Sequence, residues 1–450
     1  MKSRIYSIFL LCFASASATA ASISYDQVVN DVSHLASDEL EGRKSGSEGS
    51  KKAASYIAKR FSDIGLSSLH KLNTKTDDTE TSTQPAAKFL QNFSIYKITP
   101  QSFKVSIDSK SIDEKQIMVL TGYRKINWKN DPSVTKHHIS KSDNFQERMA
   151  FYNQQKDNIL VTVDPSHQAI FERFKNYFMR GASRFKLDEG ASAVVVLSDL
   201  PVKASFTVEA NTSVEEIKLS NVAGVLPGKS KANEYVLFSS HYDHLGVSSK
   251  DQEDKIYNGA DDDASGTTAV INLAQYFAAK ADNERTLIFV AFTAEEIGGF
   301  GSQYFSENIK HENIAAMINI EMIGKTSKFG EGKFWMTGFD RSDLGDILNK
   351  NLKSSGAQVF PDPYPKQNLF YRSDNATLAR LGVAAHSFSS SQIDKDQHYH
   401  QTSDEVATLD LKSMHKVIEG LATAVGSIVS GEDTPSKVDT SKVKPKGAFY

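Results

Sequence analysis

Apolar residues recur at helical spacing near the start of the chain. Val28, Val29, Val32 and Leu35 share one face, and Ala54, Ile57, Phe61 and Ile64 share another, which predicts helices within residues 26–66. Between them, Leu40-Glu41-Gly42-Arg43 leads into a turn at 46–49. Residues 71–87 are rich in Thr, Asp and Ser without periodicity and read as a flexible loop. From about 90 to 218 the pattern changes to short strand-like runs, Ile159–Val163 and Ala193–Leu197 among them, joined by polar connections. That texture predicts a separate small domain. Residues 219–430 alternate apolar strands (235–239, 287–292, 317–320) with amphipathic helices. One helix follows Ser265 and buries Val270, Leu273, Ala274 and Phe277; another covers 411–429. Strands alternating with helices predict an α/β fold with a parallel sheet. Residues 431–450 are polar with repeated Lys and read as a disordered tail.

A length of 450 residues allows about three domain equivalents, or one large domain with an insertion. With 39% hydrophobic and 24% charged residues, bulk disorder and fibrous folds are excluded. The net charge of −3 gives no pull toward nucleic acid or an anionic membrane. The single cysteine, Cys12, lies in a segment that reads as a secretory signal over residues 1–20. Lys2 and Arg4 form its basic start, 5–13 its apolar stretch, and Ala18-Thr19-Ala20 its cleavage site. The apolar stretch is too short to span a bilayer. The expected mature chain begins near Ala21, is exported to a periplasm or the medium, and has no thiol. Disulfides, thiol catalysis and cysteine-based zinc sites are then excluded.

Five clusters of acidic and histidine residues punctuate the α/β region, most of them where an apolar strand ends or a helix begins. Open parallel sheets bind ligands at that edge. The first is His241-Tyr242-Asp243-His244, after a strand. A ligating imidazole needs its second nitrogen oriented, and Asp243 could hold the ring or bind directly; a solvated loop explains the same residues equally well. The second is Asp261-Asp262-Asp263. A helix cap explains one aspartate, whereas three adjacent carboxylates favour a cation. The third is Glu295-Glu296, where one carboxylate can bind metal and its neighbour act as base. The fourth is Glu321 within an apolar run, costly unless paired or ligated. The fifth runs from His398 through His400 to Asp404. Histidines and carboxylates without thiolates suit zinc with N/O ligands, with enough groups for two ions. His386, in an apolar strand, reads as a core residue or as one that supports a ligand from behind. Residues 223–230 mimic a phosphate loop, but a strand rather than a helix follows, so that reading is rejected.

The order of these clusters resembles the co-catalytic zinc exopeptidase family, which includes bacterial leucyl aminopeptidases, glutamate carboxypeptidases, glutaminyl cyclases and non-enzymatic receptors. The match covers about residues 219–425, and Leu40-Glu41-Gly42-Arg43 is also similar to many members. The resemblance implies a mixed, mostly parallel sheet with helices on both faces. It also implies that 91–218 is an inserted protease-associated or lid-like domain between residues 21–90 and 219–430 of a peptidase domain. It implies two Zn2+ ions per chain. His241 and Glu321 would hold one ion, Glu296 and His400 the other, and Asp262 would bridge them. Glu295 would be the general base, Asp243 would orient His241, and Tyr371 would lie near the tetrahedral intermediate. Two departures stand out: Glu321 replaces a frequent Asp, and Asn375 follows Ser373-Asp374 where an aromatic residue or His is frequent.

The expectation is an exported zinc aminopeptidase acting on peptides with a free N-terminus. Three alternatives share the scaffold. A carboxypeptidase would need cations for the substrate carboxylate, for which Arg372 and Arg380 are candidates. A glutaminyl cyclase would use a single zinc. A binding homologue would have lost catalysis.

Overall fold

The computed structural model describes residues 21–72, 86–154, 156–199, 201–202, 205–250 and 253–444. The expected signal at 1–20 and residues 73–85 of the expected loop lie outside the described residues.

Four parallel strands form the centre of a twelve-stranded sheet, in the spatial order Ala385–Ser389, Ile314–Ile320, Lys231–His241 and Arg285–Phe292. Phe334–Met336 joins antiparallel on one side, and Phe206–Leu226 followed by Leu90–Ile107 on the other. Every residue of Arg285–Phe292 is buried, because both faces of the sheet are covered. Side chains alternate between two cores. Leu287, Phe289 and Ala291 face the helices Tyr25–Leu35, Glu48–Ile64, Gly266–Lys280 and Leu411–Ala424. Ile288, Val290 and Phe292 face Phe300–Asn308 and Asn375–Ala379. This period of two, buried on both sides, explains why the strands are nearly unbroken apolar runs. The fold class expected from the sequence is the one observed, with parallel pairing concentrated at the centre and antiparallel strands outside it.

The lobe expected at 91–218 has its own four-stranded sheet, ordered Ile117–Leu120, Ala193–Leu197, Ile159–Val163 and Thr135–Ile139. One face packs on Phe103, Val105, Trp128 and Val208, and the other on the helices Phe145–Tyr152 and Gln168–Phe178. The junction differs from a domain boundary at 218. Leu90–Ile107 and Phe206–Leu226 pair continuously from Phe206↔Ile107 to Val222↔Leu90. At Val222 the second strand also pairs with Ala291 of the central sheet. One pair of strands therefore serves both bodies, with a bulge between Asn211 and Thr212.

The disordered tail expected at 431–450 is corrected for 431–444. Buried Arg285 donates to the carbonyls of Ile428 and Asp433 and to the Thr434 hydroxyl. Val438 is buried, its N–H bonded to Gly382 O. Polar composition concealed a segment held by hydrogen bonds and by Val438 and Val443 packed against the core.

Candidate metal centre

Three neighbouring parallel strands deliver functional side chains at their carboxyl ends. His241 is the last residue of Lys231–His241, Glu295 and Glu296 follow Arg285–Phe292 by three and four positions, and Glu321 follows Ile314–Ile320 directly. Asp262 comes from the turn before Gly266–Lys280, and His400 from the loop after Ala385–Ser389, with a left-handed φ of 57°. Gly259 opens the Asp turn at φ 55°; a Cβ there would sit 2.2 Å from Asp262 O and 2.6 Å from the His244 ring. No other residue fits so close an approach.

Asp262 sits at the middle. Its Oδ1 is 3.2 Å from His241 Nε2, which is 3.5 Å from Glu321 Oε1. Its Oδ2 is 3.2 Å from His400 Nε2, which is 3.3 Å from Glu296 Oε2. Each carboxylate oxygen thus faces a different histidine–glutamate pair. A tetrahedral zinc with ligands at about 2.0–2.1 Å sets neighbouring ligand atoms about 3.3 Å apart. The observed spacings fit two such ions, and the N/O donor set suits zinc. Charge agrees. Burial opposes protonation of His241, yet Glu321, Asp262 and Glu295 outweigh it and hold its pKa well above the ordinary value. Burial, reinforced by Asp374, Glu321 and Glu296, pushes Glu295 well above the usual carboxylate range. Cations relieve such a cluster.

The other two aspartates of the triplet are scaffold. Asp263 accepts from the N–H groups of Met322 and Gly266, and Asp261 from Gly324 N–H and the Ser391 hydroxyl. Together they fasten the loop after Glu321. Asp404 accepts from the N–H groups of Asp261 and Asp262 at 3.1 Å. Ser373 donates to Glu321 Oε2 at 2.7 Å. The orientation of His241 comes from the main chain: its Nδ1 is 3.1 Å from the Asp243 carbonyl and 3.8 Å from the Asp243 carboxylate. That carboxylate instead accepts from Ser45 Oγ and Glu295 N–H. Asp243 therefore fixes His241 through its backbone and Glu295 through its side chain.

Of the residues named from the sequence, Tyr371 is not brought to this cluster. Its hydroxyl lies between Lys442 O and Lys444 N–H of the C-terminal segment. The tyrosine in the cavity wall is Tyr399, stacked on His400 with ring centres 3.9 Å apart. Sequence reasoning also missed two buried partners. His244 Nδ1 is 2.8 Å from Glu296 Oε1; a carboxylate only accepts, so Nδ1 carries the proton. Its proximity to His241 was the available signal. Arg43, fully buried, donates to the carbonyls of Tyr242, Leu35, Asn258 and Gly259. Glu41, Gly42 and Arg43 all have positive φ, a tight turn that aims the arginine inward. Burial lowers its pKa to about 10, so it stays charged at neutral pH.

The cluster lines one cavity of about 330 Å³, shared with Met322, Trp335, Leu369, Ile393, Tyr399 and Arg372.

Residues 221–425 match the profile of Peptidase family M28. A probable zinc metalloprotease of Pyrenophora teres f. teres is 34% identical over 112 residues, 24% of this chain and 24% of the relative. A vacuolar membrane protease of Schizosaccharomyces pombe is 26% identical over 157 residues, 35% of this chain and 17% of the relative. The chain thus spans about a quarter or less of the length of these curated relatives. An aminopeptidase from Aneurinibacillus sp. strain AM-1 superposes with TM-score 0.54 at 15% identity, covering 94% of this chain and 96% of its own. A zinc aminopeptidase from Bacillus subtilis does so with TM-score 0.55 at 14% identity, covering 95% and 100%. At that identity the likeness is one of fold. Among the described residues no helix is long and apolar enough to cross a membrane. Residues 221–425 thus resemble peptidase family M28 in their sequence profile, and the zinc-suited N/O cluster lies within them.

Proposed function

We propose that the chain is an exported aminopeptidase with two zinc ions, removing N-terminal residues from peptides with a free α-amine. The observation that carries the reading is Asp262, whose two oxygens face the His241–Glu321 pair and the His400–Glu296 pair separately. Zinc bound by these groups supplies Lewis-acid polarisation of the scissile carbonyl and a water acidic enough to attack near neutral pH. Glu295 takes the water proton on its carboxylate and returns it to the leaving amine as the C–N bond breaks. Asp243 holds Glu295 by its backbone N–H, and Ser373 and His244 hold Glu321 and Glu296. Met322, Trp335, Leu369 and Ile393 give the cavity an apolar wall for a substrate side chain. The expected N-terminal signal supports export.

The test is a mass-spectrometric time course of the mature chain on unblocked peptides, with and without chelator. Chelator-sensitive shortening from the amino end is the expected result; no shortening at either end counts against the reading. Shortening from the carboxyl end would favour a carboxypeptidase, a second reading kept in view by Arg372 in the cavity wall. Glu295→Gln should abolish turnover and keep its metal, and loss of both together would sink the base assignment.

A further inference from the structure

Arg60, Arg124, Arg148 and Arg285 each pair with a carboxylate. Arg372, like several other arginines, has no carboxylate partner among the described residues, although five carboxylates line the cavity it shares. Among the described residues its side chain makes one hydrogen bond, from Nη2 to the Tyr399 hydroxyl at 3.4 Å. A guanidinium carries five N–H donors in a fork that matches a carboxylate. Most of that capacity is unused, and the residue is exposed to the cavity rather than packed into the core.

Its placement is defined from both sides. The next residue, Ser373, bonds Glu321 of the His241 pair. Tyr399, which the guanidinium contacts, stacks on His400 of the other pair. Arg372 therefore starts beside one half of the metal centre and ends about a tyrosine ring's length from the other. A carboxylate meeting it lies close to the reacting carbonyl. Three parts of a peptide put a carboxylate within about three or four bonds of that carbon: the acidic side chain of an N-terminal Asp or Glu, the side chain of an Asp at the second position, and the α-carboxylate of a dipeptide. Arg380, the other cation considered from the sequence, is occupied elsewhere, donating to Lys444 O.

We propose that Arg372 is a specificity residue that receives a substrate carboxylate next to the scissile bond, selecting short or acidic peptides. This rests on the aminopeptidase reading, and the experiment separates the two. The zinc-loaded mature chain, Arg372→Met and Arg372→Lys are compared on three peptides: Leu-Ala, its C-terminal amide, and the amide of Glu-Ala. The wild type should favour one carboxylate-bearing peptide over the amide of Leu-Ala. In Arg372→Met that ratio of kcat/KM should fall about tenfold or more, through KM rather than kcat, and Arg372→Lys should restore part of it. Preference for Leu-Ala identifies the α-carboxylate; preference for the amide of Glu-Ala identifies the side chain. A wild type without preference, or a ratio unchanged in Arg372→Met, overturns the assignment. Calorimetric binding of the same peptides to Glu295→Gln, with and without Arg372→Met, reads the contact without turnover. Carboxylate-dependent binding that needs Arg372, in a chain that hydrolyses nothing, keeps the assignment and removes the aminopeptidase reading. Neither binding nor turnover removes both.

Discussion

Arg43→Lys keeps a buried cation but removes the fork. Arg43 uses Nε, Nη1 and Nη2 to satisfy four backbone carbonyls, those of Tyr242, Leu35, Asn258 and Gly259. A lysine ammonium has three donors on one atom, so at least one buried carbonyl loses its partner. A hydrogen bond to a charged group contributes about 1.5–3 kcal/mol. For a domain of about 150–250 residues each kcal/mol moves Tm by about 2–4 °C, which sets about 3–12 °C as the upper range of the expected drop. Arg43→Met removes all four bonds and the charge facing Asp262, Asp404, Asp243 and Asp263, and should cost more, about 3–5 kcal/mol by analogy with a broken buried pair. Thermal melts followed by circular dichroism, with zinc in equal excess for every variant, measure the order. A shift below about 1 °C for Arg43→Lys, or equal shifts for Lys and Met, would refute the argument that the fork itself holds the segments at Leu35, Tyr242 and Asn258-Gly259 together.

His244→Ala removes the donor that fixes Glu296 and should weaken metal binding at one of the two proposed sites by about 10–100-fold; chelator competition followed by metal analysis reads this, and equal weakening of both contradicts it. His386 is fully buried, donates from Nδ1 to Thr337 O and accepts from Ser342 at Nε2, and burial lowers its pKa to about 4. The folded value lies below the ordinary 6.5, so the unfolded chain binds more protons in this range. The stabilising effect is full above about 6.5 and is lost as pH falls toward 4, at most roughly 3 kcal/mol. Denaturant unfolding across that window should show a steeper acid loss in the wild type than in His386→Gln, and parallel profiles would exclude the histidine.

Several of the candidate site residues could be read because they follow closely on a strongly patterned strand. Glu321 stands out against Ile314–Ile320, and Glu295 and Glu296 against Arg285–Phe292. Within the Asp triplet the sequence cannot tell the metal-facing member from its neighbours. That depends on the turn, which sends Asp261 and Asp263 to backbone N–H groups; only the family resemblance singled out Asp262. Arg43 was invisible as a site residue for a related reason, since all its partners are carbonyls and every residue has one. His244 was in view beside His241, but its role depends on Glu296, fifty-two positions away. Tyr371 was chosen by its place in a motif, while the 3₁₀ turn Leu369–Tyr371 directs it to the C-terminal segment and leaves the wall to Tyr399 and Arg372.

The strand pair shared by the lobe and the central sheet has a mechanical consequence. A lobe attached through loops would swing on a hinge at little energetic cost. This one is mounted on a beam: two strands paired over seventeen register positions, rooted against Arg285–Phe292. Motion of the lobe must bend the beam, and the bulge at Asn211–Thr212 is where the beam is weakest. Load on the lobe therefore reaches the strand that carries Glu295 and Glu296 at its end. An excision from 95 to 215 would saw through both members along their length, whereas a cut near the bulge would leave the root of the beam in place.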